Sequence, residues 1–153
     1  MNKDLLFEIM LELPTIDIIS LCRVNHDYLS LCDEGSFWHD KMVRDGIPII
    51  DLEFTLKRYE TLSYLTKKAS DTLNNDYYFN LYQVPISYFN LQHYTNHVNL
   101  TVRKMMNKFI VSINDDIRFV ITYNEMLKLY VQYWLYHPSG MFRFEIDSDD
   151  DYL

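Results

Sequence analysis

The sequence predicts an α+β protein, with an all-helical N-terminal module followed by a small α+β domain. In the first third of the chain, apolar residues recur at intervals of three and four, which is the period of an amphipathic helix. Beyond residue 108 they alternate at every second position, which is the period of a strand. The hydrophobic share of 48 % and the aromatic share of 16 % suffice for packed cores, whereas disorder requires the opposite balance.

The first helix of the module is predicted from a stripe of aliphatic residues that begins at Leu5. Leu5, Ile9 and Leu13 recur at i, i+4 and i+8, so they lie on one side of a helix. Pro14 ends this helix, because the residue before a proline is pushed out of the helical region.

Three more short helices follow, each with a start or stop signal. Thr15 is a candidate N-cap for the second helix, and the polar run 25–27 marks a corner before the third. Ser36 is a candidate N-cap for the fourth. Gly46 with Pro48 ends it, since a glycine past the last turn and a proline beyond it are the usual stop.

None of these four helices is long enough to be stable alone, so they must pack on one another or on a partner. A set this short cannot bury all its large side chains, and a residual apolar patch marks an interface. The candidates for this patch are Leu5, Ile9, Ile18 and Ile19.

The ordered set of residues between Leu5 and Trp38 resembles an F-box. The family pattern has paired leucines, Glu-Ile, Leu-Pro, an Asp with two aliphatics and a leucine, a valine, and a closing Ser-aliphatic-Trp. In this chain, without a gap, these are Leu5-Leu6, Glu8-Ile9, Leu13-Pro14, Asp17-Ile18-Ile19, Leu21, Val24 and Ser36-Phe37-Trp38.

The F-box is the module that docks onto the Skp adaptor of cullin–RING ubiquitin ligases. The resemblance therefore implies a substrate adaptor rather than an enzyme. It would bind a Skp-family protein, and through it a cullin, while its C-terminal domain presents a target protein that the sequence does not identify. The partner-binding residues that the resemblance implies are Leu5, Leu6, Ile9, Leu13, Pro14, Ile18, Ile19, Leu21, Val24 and Trp38.

The chain departs from the family pattern at three points, of which the missing Leu-Pro and Arg23 favour an alternative. F-boxes usually open with Leu-Pro, where this chain has Met1-Asn2; Arg23 replaces a common leucine and Tyr28 a common tryptophan. The alternative is a non-catalytic structural or regulatory interaction protein that retains an F-box-like fold without ubiquitin ligase function. A compact F-box in an Asn- and Tyr-rich chain is similar to those of large DNA viruses and protists.

The remainder is predicted to comprise a connecting helix at 47–70, a target-binding α+β domain at 71–147 and an acidic tail at 148–153. Its helical periodicity is predicted over 51–67, and 71–76 is predicted to be a loop.

Within the α+β domain, a strand is predicted from Tyr77, while 86–108 stays open between helix and strand. Residues 109–113 and 117–121 alternate around Asn-Asp-Asp and predict a hairpin. The segment 124–137, capped by Asn124, is apolar almost all round and predicts a buried helix. Residues 141–146 predict a last strand.

The charge and the cysteine content limit which partners and which cellular compartment are expected. The net charge is −8 and the 14 Lys and Arg are scattered, whereas a nucleic-acid partner requires a clustered basic surface. Cys22 and Cys32 fit neither a metal-ligand spacing nor a disulfide framework, which favours a reducing cytoplasmic or nuclear compartment. No signal peptide and no membrane-length apolar run is expected.

The sequence offers no persuasive catalytic, cofactor or metal site. His93 and His97 stand at i, i+4, but no third ligand is evident nearby, so surface histidines are favoured over a metal site. A phosphate-binding glycine loop is not expected from a chain with three glycines.

Overall fold

The computed structural model describes residues 3–85, 97–114 and 116–136. The chain divides into two compact units, residues 1–64 and 65–153. Four helices open the chain, a long helix follows, and four strands precede a last helix. The predicted α+β class is confirmed. The division between the units falls within the long helix.

The first unit begins with four short helices, as the sequence predicts. Their bounds are α1 Lys3–Glu12, α2 Thr15–Val24, α3 His26–Cys32 and α4 Gly35–Arg44. The helix α1 packs on α4, where the rings of Phe7 and Phe37 meet edge to face at 5.4 Å. The four helices thus form a small bundle. Each helix alone is too short to be stable, so its stability depends on such contacts.

Local hydrogen bonds explain where α3 begins and α4 ends. The Asn25 side chain accepts from the backbone N–H of Asp27 at 2.8 Å and caps α3. At the end of α4, Gly46 has φ +72° and its N–H donates to Val43 O, while the Ile47 N–H donates to Met42 O. This is a Schellman ending, which requires the left-handed backbone that glycine adopts readily.

Two predicted caps were wrong. Thr15 is the first residue of α2, directly after Pro14, and its hydroxyl bonds to another helix instead. Ser36 is the second residue of α4, which follows Glu34 and has no side-chain cap. Both helices start on backbone geometry alone.

The long helix α5, Leu56–Asn75, is shifted from its prediction at both ends. It begins after Thr55, whose hydroxyl accepts from the Arg58 N–H at 3.1 Å and caps the helix. It also continues through the predicted loop at 71–76. The continuation has a packing reason, since Ala69 and Leu73 are fully buried, one and two turns beyond the buried Leu65.

The second unit contains one antiparallel sheet in the order β1-β2-β3-β4. Its strands are β1 Tyr78–Pro85, β2 His97–Met105, β3 Lys108–Ile113 and β4 Ile117–Thr122. The hairpin predicted around Asn-Asp-Asp is confirmed as β3 and β4. The open assignment of 86–108 is settled as strand from His97 to Met105.

One face of this sheet is the core of the unit. Along β2 and β3 every second residue is buried, from Val98 and Leu100 to Val111 and Ile113. The last helix, α6 Tyr123–Tyr136, packs on this face. Its Tyr130 ring stacks on Phe79 at 5.2 Å. No helix among the described residues covers the other face of the sheet, to which the alternate side chains of the strands point.

The helix α6 is capped by a reciprocal pair that the sequence reasoning missed. The Glu125 N–H donates to Thr122 Oγ1 at 3.2 Å, and the Thr122 N–H donates to Glu125 Oε1 at 2.9 Å. These bonds form a capping box and lower the pKa of Glu125. Asn124, the predicted cap, is the second residue of the helix. The Thr-x-x-Glu pattern at Thr122 and Glu125 is the sequence signal that could have predicted this cap.

Several predictions lie outside the described residues. These are the strand at 141–146, the acidic tail at 148–153 and His93. Among the helices that the structure describes, none combines the length and apolar character needed to cross a membrane.

Candidate protein-interaction site

The helix α1 exposes two large aliphatic side chains one turn apart. Leu5 is 54 % exposed and Ile9 is 40 % exposed. We call this pair the α1 face. Leu6 and Met10, each one residue further along the chain and so about 100° around the helix, are buried. The apolar residues of α1 therefore divide into a pair that faces the core and a pair that faces solvent. An exposed apolar pair on a short helix is a candidate contact for a partner.

The corner that follows α1 is held by a buried lysine. Lys41 is 3 % exposed, and its Nζ donates to Leu11 O at 2.9 Å and to Leu13 O at 2.8 Å. It also lies 3.2 Å from Asp45 Oδ2. The carbonyls at a helix end have no partner within the helix. Lys41 supplies donors to them, and it thereby fixes the end of α1 against α4.

A tyrosine of α5 extends this network within the first unit. The Tyr59 hydroxyl donates to Asp45 Oδ2 and accepts from Thr15 Oγ1 at 3.1 Å. Burial of the ring, together with the hydrogen bond to the Asp45 carboxylate, raises the pKa of Tyr59 to about 12. The first turn of α2, the end of α4 and the start of α5 are thereby joined through polar atoms.

The predicted partner-binding residues separate into three groups by exposure. The exposed ones are Leu5, Ile9, Pro14 and Val24; the half-buried ones are Leu13, Ile19 and Leu21; the buried ones are Leu6, Ile18 and Trp38. Prediction of Ile18 as part of the exposed patch was wrong, because its side chain is fully buried. Trp38 is also fully buried, and its Nε1 donates to Cys32 O at 2.6 Å.

Sequence reasoning missed Ile16, which is 74 % exposed in the first turn of α2. The predicted exposed patch included no residue of α2 before Ile18, although the helix begins at Thr15. Of the residues that depart from the F-box pattern, Arg23 is exposed in the last turn of α2 and Tyr28 is half-buried in α3. Arg23 therefore adds charge to the surface of the unit and leaves its core unchanged.

The cysteine prediction was also wrong. Cys22 and Cys32 form a disulfide, with their Cα atoms 6.3 Å apart, within the range that a disulfide spans. The helices α2 and α3 fold back at Asn25 and bring the two thiols together. The argument for a reducing compartment from unpaired cysteines therefore fails.

A concavity of about 440 Å³ lies beside this disulfide. Its apolar lining includes Leu29, Phe54 and Leu56, and its rim carries Lys57 and Glu60. Among the residues that the structure describes, no group of three or more His, Cys, Asp or Glu could hold a metal ion. His97 lies in strand β2, where the helical spacing behind the histidine-pair idea does not apply.

No family model, no curated protein and no solved structure matches the chain.

Proposed function

We propose that this protein is an F-box-type adaptor: its first unit docks on a Skp-family adaptor, and through it on a cullin, and its second unit holds a target protein for ubiquitination. The observation that carries the proposal is the α1 face, where Leu5 and Ile9 are exposed on a helix whose residues follow the F-box order. Apolar side chains held outward by a packed bundle are what an obligate partner would cover.

The polar network behind the α1 face supports this role. Lys41 bonds two carbonyls at the end of α1, and Tyr59 and Asp45 link that corner to α4 and α5. A docking helix that is rigid before binding loses less conformational entropy on association. The reaction itself belongs to the ligase, so this chain acts by binding. The proposal places its action in the cytoplasm or nucleus, and in those reducing compartments it expects Cys22 and Cys32 as thiols rather than as the disulfide.

A pull-down with a purified Skp-family adaptor tests the docking claim. The variant is Leu5→Asp with Ile9→Asp, which places two charges on the α1 face without touching a buried side chain. The matched control is Val43→Asp, an aliphatic residue of α4 that is 59 % exposed and lies outside the F-box pattern. Circular dichroism and thermal unfolding verify that both variants keep the fold.

The proposal expects retention of the wild type and of Val43→Asp, and loss of the double variant. Equal retention of all three would overturn docking through α1. If none is retained and the protein instead associates stably with itself or with a particle, the alternative applies: an interaction protein with an F-box-like fold but without ligase function. Ile18 is unsuitable for this test, since a charge at a fully buried position would unfold the module.

A further inference from the structure

The sheet of the second unit carries positive charge in a chain that is negative overall. Its four strands contain Arg103, Lys104, Lys108 and Arg118 and no Asp or Glu, whereas the whole chain has a net charge of −8. Within the described residues, neither Arg103 nor Arg118 has an ion-pair partner. The sheet is therefore a local region of positive charge in an otherwise acidic chain.

Both arginines line the same concavity on the face of the sheet opposite the core. This concavity has a volume of about 210 Å³ and is lined by Tyr78, Thr101, Arg103, Ile110, Ser112 and Arg118. We call these six residues the arginine face. The strand register explains why they meet: Thr101 lies opposite Ser112, which lies opposite Arg118, while Arg103 lies opposite Ile110. All point away from the buried row of Val102 and Val111.

The register also sets the spacing of the two arginines. Arg103 and Arg118 stand on β2 and β4, two strands apart, and are offset along the strands by two residues. With strand spacings of about 4.8 Å and a rise of about 3.4 Å per residue, their Cα atoms lie roughly 12 Å apart. The long side chains can reach inward over this distance. They can bind two carboxylates about 7 Å apart, which is the separation of residues i and i+2 in an extended chain.

We infer that the arginine face binds an extended acidic segment of a partner protein, with Asp or Glu at alternate positions. Each guanidinium offers a planar pair of donors that matches a carboxylate. The Ser112 hydroxyl adds a donor on the strand between them, and the Tyr78 hydroxyl adds one on β1, beside Arg103. The role of this partner as a target rests on the proposed function, but the binding itself does not require docking through α1. The two claims fail independently, because they use different surfaces and different probes.

Fluorescence anisotropy with the full chain tests the inference. The probe is a fluorescein-labelled peptide of about nine residues that alternates Glu and Ser, long enough to span roughly 30 Å of extended chain. The reference probe alternates Gln and Ser. We expect saturable binding of the acidic peptide alone, weakened when NaCl is raised from about 0.05 M to about 0.5 M, because salt screens exposed charges.

The variants identify the surface. Arg103→Gln and Arg118→Gln should each raise the dissociation constant by about three- to tenfold. The matched control is Lys128→Gln, which removes one positive charge from an exposed position on α6, on the other side of the sheet. Equal weakening by Lys128→Gln, or none by the arginine variants, would overturn the arginine face as the site.

The chain itself contains a competing acidic segment, since Asp147, Asp149 and Asp151 stand at alternate positions. A variant with all three changed to Asn, called the tail variant, distinguishes binding of this segment from binding of a partner. If the wild type binds the acidic peptide, the partner assignment stands. If only the tail variant binds, the occupant is the chain's own C-terminus and the partner assignment is wrong. Absence of binding to both proteins, or equal binding of the Gln peptide, would overturn the inference.

Discussion

Replacing Lys41 with methionine should destabilise the first unit by about 3 kcal/mol. Methionine is nearly as long and is apolar, so the change removes the ammonium group without opening a large cavity. It removes two hydrogen bonds, to Leu11 O at 2.9 Å and to Leu13 O at 2.8 Å, and the ion pair with Asp45 at 3.2 Å. Lys41 is 3 % exposed, so water cannot replace the lost donors without opening the structure.

The magnitude follows from these contacts. A hydrogen bond to a charged group contributes about 1.5 to 3 kcal/mol net, so two such bonds give about 3 to 6 kcal/mol. The variant no longer carries the desolvation cost of the buried ammonium, which offsets part of this loss. In the variant, the carbonyl oxygens of Leu11 and Leu13 lose their donor, and no helical N–H is available at the end of α1 to replace it. A net loss of about 3 kcal/mol results.

Urea unfolding followed by the fluorescence of Trp38 measures this loss. Since the chain has two tryptophans, a Trp134→Phe background makes Trp38 the only reporter, and the signal then belongs to the first unit. Lys57→Met is the matched control, because Lys57 is exposed and its replacement should change the free energy of unfolding by less than about 0.5 kcal/mol. If Lys41→Met costs no more than Lys57→Met, the polar anchor at the α1 corner contributes nothing and the reasoning is wrong.

Three further predictions concern other parts of the fold. Since the pKa of Tyr59 is raised to about 12 in the folded state, its contribution is complete below the ordinary pKa of about 10 and is lost as pH rises towards 12; urea unfolding across this range should show a steeper loss for the wild type than for Tyr59→Phe, and parallel curves would contradict it. Thr122→Ala should lower the free energy of unfolding by about 1 kcal/mol, because it removes the side-chain half of the capping box with Glu125, and thermal unfolding would measure it. Met106→Gly should stabilise the second unit by about 0.5 to 1 kcal/mol in the same assay, because Met106 has φ +58° in an exposed turn and the left-handed backbone costs a non-glycine residue about 1 to 2 kcal/mol; a lowered melting temperature would refute it.

The helices of the first unit were predictable because their limits are local. Pro14 and Gly46 act through their own backbone angles, whatever the rest of the chain does. The limits of α5 were less accessible: the Thr55 cap was missed, and the burial of Leu73 that continues the helix depends on tertiary packing. The β3–β4 hairpin combined strict alternation with turn residues, and it was predicted correctly.

The composition of the candidate site was less predictable than its helices. Leu5 and Leu6 are the same residue type at adjacent positions, yet one is 54 % exposed and the other 4 %. Periodicity shows that a helix has an apolar side but does not show how far around the helix the core extends. Ile18 was assigned to the surface for this reason, and it lies in the core.

Long-range polar contacts and the disulfide could not be derived from sequence spacing. Lys41 bonds a carbonyl thirty residues away, and no local pattern distinguishes it from the exposed lysines of the chain. Cys22 and Cys32 meet because α2 and α3 reverse direction at Asn25, so their Cα atoms come within 6.3 Å. Their separation of ten residues is equally compatible with side chains far apart.

Hydrogen–deuterium exchange of the chain with and without a purified Skp-family adaptor tests the central claim most directly. The claim predicts that the adaptor slows amide exchange in α1 and at the start of α2, around Leu5, Ile9 and Ile16, while exchange in β2 to β4 stays unchanged. Unchanged exchange in α1 at saturating adaptor, or protection confined to the sheet of the second unit, would contradict docking through the α1 face.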